Sequence, residues 1–262
     1  MLASDRKHKI LELVEREGSL ASAKVASALG VSLMTVRRDL EELEERGLLQ
    51  RVHGGAQALG EHEAAYGLRR RREFEAKRRI GLFAANLIQD GETVYLDAGT
   101  TTMEVALGLR RRKLSGVFVV THGVNIAAEL SGLAGITVYQ LGGEIYRQTY
   151  SAVGPSAISA LNNFSFDRAF IGCQGFDLTA GITNSNVAEV DLKLAAIHCS
   201  RWACLVADAT KNTHVSFARI APLSAVQAIL TDARLPEPDL AALLGAGLEV
   251  IIASERRTPN RA

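Results

Sequence analysis

Val31-Ser-Leu-Met-Thr-Val-Arg-Arg-Asp-Leu-Glu-Glu-Leu-Glu-Glu-Arg-Gly47, followed closely by Arg51-Val-His-Gly-Gly-Ala56, decides the fold of the N-terminal part of the chain. Ser32 is placed to cap a helix, because its hydroxyl accepts from a backbone N–H two or three residues on, and Gly47 suits the left-handed closing position. The helix spans about four turns. Leu33, Val36, Leu40 and Leu43 recur at helical steps and form one apolar stripe, which turns Thr35, Arg37, Arg38 and Glu42 toward the opposite surface. Hydroxyl and cationic side chains therefore gather on its first half.

The flanking segments complete a three-helix unit. Arg6 to Arg16 reads as a helix with Ile10, Leu13 and Val14 apolar, and Ala21 to Leu29 as a second, with Gly30 turning into Ser32. After Gly47, Leu48 to Val52 reads as a strand, and Gly54-Gly55 permits the tight reversal of a hairpin wing. A recognition helix enters the major groove by its N-terminal residues. The expected DNA contacts are Ser32, Thr35, Arg37 and Arg38 on the helix, with Arg51, His53, Gly54 and Gly55 in the wing. A winged helix that binds protein, its arginines merely solvated, is the alternative; helix order, turn, basic positions and wing glycines together favour DNA.

Bulk charge is not the explanation. Residues 1 to 55 hold nine Lys or Arg and nine Asp or Glu, so this unit has no net charge. Glu41, Glu42, Glu44 and Glu45 occupy the second half of the helix and Arg37 and Arg38 the first. One end faces DNA and the other solvent. Glu42 and Arg46 form a weak surface pair in this reading, and Asp39 orients a neighbouring arginine.

These residues carry a resemblance. Val31-Ser32, Thr35-Val36-Arg37-Arg38-Asp39-Leu40 and His53-Gly54-Gly55-Ala56 resemble the signature of the DeoR family of bacterial transcriptional regulators. The resemblance implies a sugar-phosphate-responsive regulator, usually a repressor.

Composition bounds the rest. A chain of 262 residues buries a sizeable core, and a small winged helix leaves room for one larger domain. Cys173, Cys199 and Cys204 show no close pairing, no apolar run reaches membrane-spanning length, and Met1 to Gly18 is charged and amphipathic. A reduced, cytoplasmic protein is expected. The six histidines form no metal-like cluster with cysteine or carboxylates, and no cofactor or metal is expected.

The expected organisation is a DNA-binding domain over 1–57, a linker and basic helix over 58–76, an effector-binding domain over 77–252 and a tail over 253–262. Residues 57 to 67 are non-periodic and suit a joint. Leu68 to Ile80 is helical and strongly basic; Arg69 to Arg72 either contact phosphates or lie on a solvated helix with Glu73–Lys77 and Glu75–Arg79 pairs, the reading favoured here.

From residue 80 onward apolar strands alternate with helical stretches: Thr93 to Leu96, Gly116 to Thr121, Ile136 to Leu141, Arg168 to Gly172, Ala203 to Ala207, Val226 to Thr231 and Glu249 to Ile252. Short buried strands separated by helices predict an α/β, Rossmann-like, mostly parallel sheet covered on both faces. Ligands of such sheets lie outside the carboxyl ends of the strands. In Thr93-Val-Tyr-Leu-Asp97-Ala-Gly99-Thr100-Thr101-Thr102, a strand passes through a glycine and three hydroxyls into a helix, so free N–H groups meet a phosphate-sized gap. Asp97 repels phosphate and is assigned to sugar hydroxyls or to holding the loop. Helix capping alone is the plainer reading of the threonines. Other strand ends carry Thr121-His122, Gly142-Gly143, Gly175 and Asp208-Ala-Thr-Lys211. Lys211 supplies a point charge for a phosphate or sugar oxygen, and Asp208 orients it or simply pairs with it. Glu189 and Lys193, four apart on a helix, read as a salt bridge.

This region also resembles the family's effector domain, whose fold is shared with ribose-5-phosphate isomerases and CoA transferases. Asp97-Ala-Gly-Thr-Thr101, Gly142-Gly143, Ser151 with Gly154, Gly175, Gly181 with Thr183 and Asp208 to Lys211 fall in the family's order. His122 stands where the family commonly has Asn.

The expected function is a sequence-specific regulator, a repressor of a carbohydrate uptake or catabolism operon, whose operator affinity is set by a phosphorylated sugar. The alternative is a sugar-phosphate isomerase with a DNA-binding appendage, its base drawn from Glu189, Asp97 or Asp208. No second carboxylate is poised around Lys211, which ranks catalysis below sensing. A constitutive architectural DNA binder leaves the polar strand ends unexplained. A homodimer or homotetramer is expected, because helix-turn-helix proteins read paired half-sites.

Overall fold

A computed structural model describes residues 2–45, 48–52, 54–58, 66–233 and 235–253. The chain divides into two compact units, Met1–Arg71 and Arg72–Ala262.

The first unit contains α1 (Ala3–Glu17), β1 (Ser19–Ala21), α2 (Ser22–Leu29), α3 (Leu33–Glu45), β2 (Gln50–Val52), β3 (Gly55–Gln57) and α4 (Tyr66–Arg71). Ile10, Val14, Val25, Val36, Leu40, Leu43 and Leu49 share one buried core. Gly30, at φ 63°, closes α2 with its N–H on Ala26 and Ser27 carbonyls. The wing has three strands rather than two: β3 lies between β1 and β2. Gly55 is required there, because a Cβ would sit 2.1 Å from the Leu20 carbonyl oxygen. Leu33 is not part of the stripe, being 46 % exposed. The closing Gly47 lies outside the described residues.

The basic stretch 68–80 is not one helix. Glu73 adopts φ 50° and separates α4 from α5 (Phe74–Leu87). Tyr66 and Leu68 are buried, Leu68 in the core of the first unit. The expected ion pairs are exchanged for others. Lys77 donates to the Arg72 carbonyl, Glu75 meets Arg78 at 3.3 Å, and Arg79 meets Asp232 at 2.9 Å.

After α5 the second unit continues through β4 (Thr93–Leu96), α6 (Thr100–Leu109), β5 (Val117–Thr121), α7 (Val124–Leu130), β6 (Ile136–Gln140), β7 (Glu144–Tyr146), β8 (Ser151–Val153) and α8 (Pro155–Leu161). Then follow β9 (Arg168–Ile171), β10 (Gly175–Asp177), β11 (Gly181–Asn184), α9 (Val190–His198), β12 (Ala203–Val206), β13 (Ala218–Ala221), β14 (Ala228–Thr231), α10 (Glu237–Gly245) and β15 (Glu249–Ile252). The seven strands expected from apolar runs form one wholly parallel sheet, in the order β15-β14-β12-β9-β4-β5-β6. Every residue of β12 and β14 is buried, as a sheet covered on both faces requires. Two small antiparallel sheets, β7-β8 and β10-β11-β13, join it.

Strand order reverses direction between β4 and β9, since β5 and β6 extend one way and β12, β14 and β15 the other. Their carboxyl ends are thus a topological switch point. Helix α6, whose N-terminus sits there, is held by unusually close packing on α5. A Cβ at Gly81 would lie 2.3 Å from the Glu104 backbone carbonyl carbon, and one at Gly108 would lie 2.7 Å from Ala85 Cβ. Gly81→Ala is favoured by helix propensity, yet it is expected to destabilise by about 1–3 kcal/mol through overpacking. Urea unfolding checks the sign.

Candidate functional site

The DNA-facing candidates lie on α3 and the wing. Ser32 caps α3 as expected: its Oγ accepts from the Thr35 N–H at 3.1 Å and lies 2.8 Å from the Thr35 hydroxyl. Arg37 and Arg38 are exposed, and Arg38 approaches Glu42 at 3.6 Å. Asp39 is buried and accepts from Arg6 of α1, 3.0 Å from Nη2, so it orients an arginine distant in sequence. Glu42 also pairs with Lys7; Arg46 lies outside the described residues. Arg51 is held in place, its guanidinium 2.8 Å from Glu41 and its backbone N–H 2.8 Å from Glu44. Gly54 takes φ 82° at the wing turn, and His53 lies outside the described residues.

The second site is at the switch point. Asp97, at the end of β4, is fully buried, and its Oδ2 accepts from the Gly172 N–H at 2.8 Å, tying β4 to β9. Lys193, reaching from α9, donates to the same oxygen and to the Gly172 carbonyl at 3.1 Å. The expected Glu189–Lys193 bridge is therefore replaced. Glu189 instead accepts from the Ser151 hydroxyl at 2.9 Å and the Asn184 amide at 3.2 Å. Burial pushes the Glu189 carboxyl up, but Lys193, His122 and the Thr149 and Ser151 hydroxyls outweigh it and leave it below the usual carboxylate range. Burial likewise opposes the Lys193 charge, yet Asp97 and Glu189 hold its ammonium above the usual value.

His122 ends β5 in the same cluster. Burial drives its imidazole toward the neutral form and drives the Tyr95 phenol well above its ordinary value. The phenol keeps its proton and lies 2.7 Å from His122 Nδ1; when it donates there, the ring proton of the neutral imidazole is on Nε2, facing Asp97. That atom lies 3.6 Å from Asp97 Oδ1. Both atoms are buried without a hydrogen-bond partner among the described residues. A neutral donor and a carboxylate oxygen, each one bond short, face each other across a gap.

Around this cluster the remaining candidates divide. Thr100 and Thr101 open α6, whose first backbone N–H groups have no intrahelical acceptor. Thr102 donates to the Gly99 carbonyl at 3.2 Å, so its hydroxyl serves the helix turn. The Thr121 hydroxyl accepts from the Gly123 N–H at 3.0 Å, which fixes the turn after β5. Asp208 is buried and accepts from Thr210, and among the described residues no ion pair joins it to Lys211. Burial raises the thiol of Cys173, just past β9, to about 12; Lys211 and Lys193 oppose the shift, and Asp208 and Asp97 reinforce it. Lys211 and Asp208 therefore share the electrostatic neighbourhood of the switch point.

Two glycine candidates do other work. Gly175 begins β10, where a Cβ would meet the His214 carbonyl oxygen at 2.1 Å, so it serves close packing in the small sheet. Gly142 and Gly143 lead from β6 into the β7-β8 hairpin, and Gly143 comes close to the Val153 carbonyl. That hairpin returns to the end of β5, where Ala152 N–H donates to the His122 carbonyl at 2.7 Å. Glu189, a candidate base of the isomerase reading, and Ser151, part of the family resemblance, join the cluster, and Tyr95, Asn184 and Lys193 join it without having been expected there. Asn184 and Lys193 come from segments far from Asp97 in sequence; the only local signal was the helical spacing of Glu189 and Lys193.

A capped recognition helix with a wing, joined in one chain to a parallel α/β unit with a polar switch point, defines a ligand-responsive DNA-binding protein. The family model of the DeoR-like helix-turn-helix domain matches residues 6–62, and that of the DeoR C-terminal sensor domain matches residues 72–233. The chain belongs to the DeoR family of transcriptional regulators. It is 35 % identical over 254 residues to the HTH-type transcriptional regulator GlpR of Haloferax volcanii, covering 96 % of this chain and 98 % of that one. Over 234 residues it is 35 % identical to the transcriptional repressor AccR of Agrobacterium fabrum, covering 87 % and 89 %. Among solved structures, ribose 5-phosphate isomerase from Plasmodium falciparum aligns at TM-score 0.36 and 16 % identity, over 52 % of this chain and 53 % of that one. The relatives are regulators, and the isomerase alternative is set aside. Among the described residues no helix is long and apolar enough to cross a membrane.

The buried cluster makes two predictions. Lys193→Met leaves Asp97 charged and unpaired and is expected to destabilise by about 3–5 kcal/mol, whereas adding Asp97→Asn recovers most of the loss. Urea midpoints of the single and double variants measure this. His122 is held neutral when folded and titrates near its ordinary value when unfolded. The stability it contributes is present above about pH 6.5 and is lost as pH falls below it. His122→Asn is expected to flatten the stability profile between neutral and mildly acidic pH, read as the difference between the two urea-midpoint curves.

Proposed function

We propose that the protein is a repressor whose operator affinity is set by a phosphorylated sugar bound at the switch point between β4 and β9. The observation that carries this reading is the buried gap between His122 Nε2 and Asp97 Oδ1, each without a partner among the described residues. A sugar hydroxyl is both donor and acceptor, so one hydroxyl accepts from His122 and donates to Asp97. Phosphate suits the start of α6, where Gly99 leads into Thr100 and Thr101, the first backbone N–H groups of the helix have no intrahelical acceptor and the helix end is positive, with Lys211 as a point charge. Asp97 itself repels phosphate, which orients the ligand with its hydroxyls inward. Thr102, Thr121 and Asp208 hold the frame, Gly142 and Gly143 carry the hairpin back over β5, and Gly175 packs the small sheet.

On the DNA side, Arg37, Arg38 and Thr35 read the groove from α3, while Arg51, His53 and the wing glycines contact phosphate or the minor groove. Two half-sites read at once make a homodimer or homotetramer the working assembly, and three free cysteines suit a reduced cytoplasm. The domain limits in this reading are 1–57, 58–76, 77–252 and a tail.

Thermal melting with pentose and hexose phosphates tests the sensor. At one hundred times Kd a ligand adds about 2.7 kcal/mol and raises Tm by several degrees. Wild type is expected to show this shift with one sugar class, Lys211→Ala to lose it, and operator anisotropy to change with the same ligand. If no phosphorylated sugar moves either Tm or DNA affinity, the sensor reading is wrong; sugar-phosphate turnover abolished in Lys211→Ala would instead restore the isomerase.

A further inference from the structure

The outward face of α3 is not wholly polar. Val36, Leu40 and Leu43 turn one side of the helix into the core. At about 100° per residue, the centre of the opposite side falls between Met34 and Arg38, with Glu41 beside them and Arg37 toward one edge. Met34 is 73 % exposed, and it stands in the first turn. The polar groups beside it are already engaged: the Ser32 and Thr35 hydroxyls face each other at 2.8 Å, Arg38 approaches Glu42, and Glu41 holds Arg51. Arg37 makes no side-chain pair among the described residues.

Met34 therefore shares the outward face of the first turn, the part of a recognition helix that enters a major groove, with Arg38, yet it has almost no hydrogen-bonding capacity. A long apolar side chain left in water between cations forgoes the burial that stabilises it elsewhere. The base-edge group that suits such a side chain is apolar, and in the major groove that group is the C5 methyl of thymine. The thioether is flexible and polarisable, so it packs against a methyl without demanding one rigid approach.

We propose that Met34 is a specificity-determining residue that selects thymine in each operator half-site by contact with its C5 methyl. Arg37 and Arg38 anchor the same helix turn on guanine edges or phosphates, and Met34 supplies the discrimination that those cations do not. The inference rests on DNA binding by the helix-turn-helix unit and is independent of the effector.

The test uses the full-length protein. Duplexes are selected from a random-sequence library, and each thymine of the selected site is then replaced singly by uracil, which removes the methyl and leaves base pairing and the O4 acceptor intact. A single uracil at the contacted thymine is expected to weaken wild-type binding roughly four-fold, the value of one buried methyl-sized group, and one in each of two half-sites roughly fifteen-fold. Met34→Ala is expected to bind the thymine and uracil duplexes alike, and Met34→Leu to keep the preference. Arg37→Ala is expected to lose affinity for both duplexes while keeping their ratio, which separates apolar reading from anchoring. Because Met34 is exposed, its truncation leaves Tm unchanged, and melting confirms that the variant is folded. A wild-type ratio near one at every thymine overturns the proposal. So does a preference that persists in Met34→Ala.

Discussion

The second unit is organised around the buried contact of Lys193 with Asp97. Strands β4 and β9 are neighbours in the sheet, but the chain leaves them in opposite directions, so nothing in local connectivity closes the crevice at their ends. Asp97 closes it by accepting from the Gly172 N–H across the seam, and Lys193 balances the resulting buried charge from α9. A buried charge is tolerated only when paired and hydrogen-bonded. The position of α9 is thereby fixed, and with it Glu189, which in turn anchors Ser151 of the hairpin. Sheet, helix and hairpin meet at one carboxylate.

That arrangement explains how a site can be both rigid and incomplete. Asp97 Oδ2 is fully used in holding the fold, while Oδ1 is left over, opposite a histidine proton that also has no acceptor. Burying two such groups is unfavourable unless a ligand satisfies them. The two unsatisfied atoms fall at the proposed site, beside the ion pair of Lys193 with Asp97. The same residue therefore serves the sheet with one oxygen and remains open to chemistry with the other.

Much of this was legible in the sequence, and the exceptions share a physical cause. The central strands announce themselves because burial on both faces demands continuous apolar runs, such as Val117 to Thr121 and Ala203 to Val206. Ser32 is readable as a cap because its partner is three residues away. β1, β7 and β8 escape because three-residue strands leave no periodicity to detect. Glu189 and Lys193 are misread as a mutual pair because helical spacing reveals only neighbours on the same helix, whereas the partner of Lys193 lies 96 residues away. Leu33 is misassigned for a related reason: its spacing fits the stripe, but its place in the first turn leaves it beyond the core.

The wing arginine gives the electrically neutral DNA-binding unit a further property. Arg51 is paired with Glu41 and its backbone N–H with Glu44, and Arg38 approaches Glu42, so a phosphate that approaches either guanidinium also meets a nearby acid. Random duplex offers phosphate and little else. A matched site adds base contacts. In the proposed mode of DNA binding, the internal acids would temper attraction to phosphate alone and leave discrimination to the base contacts.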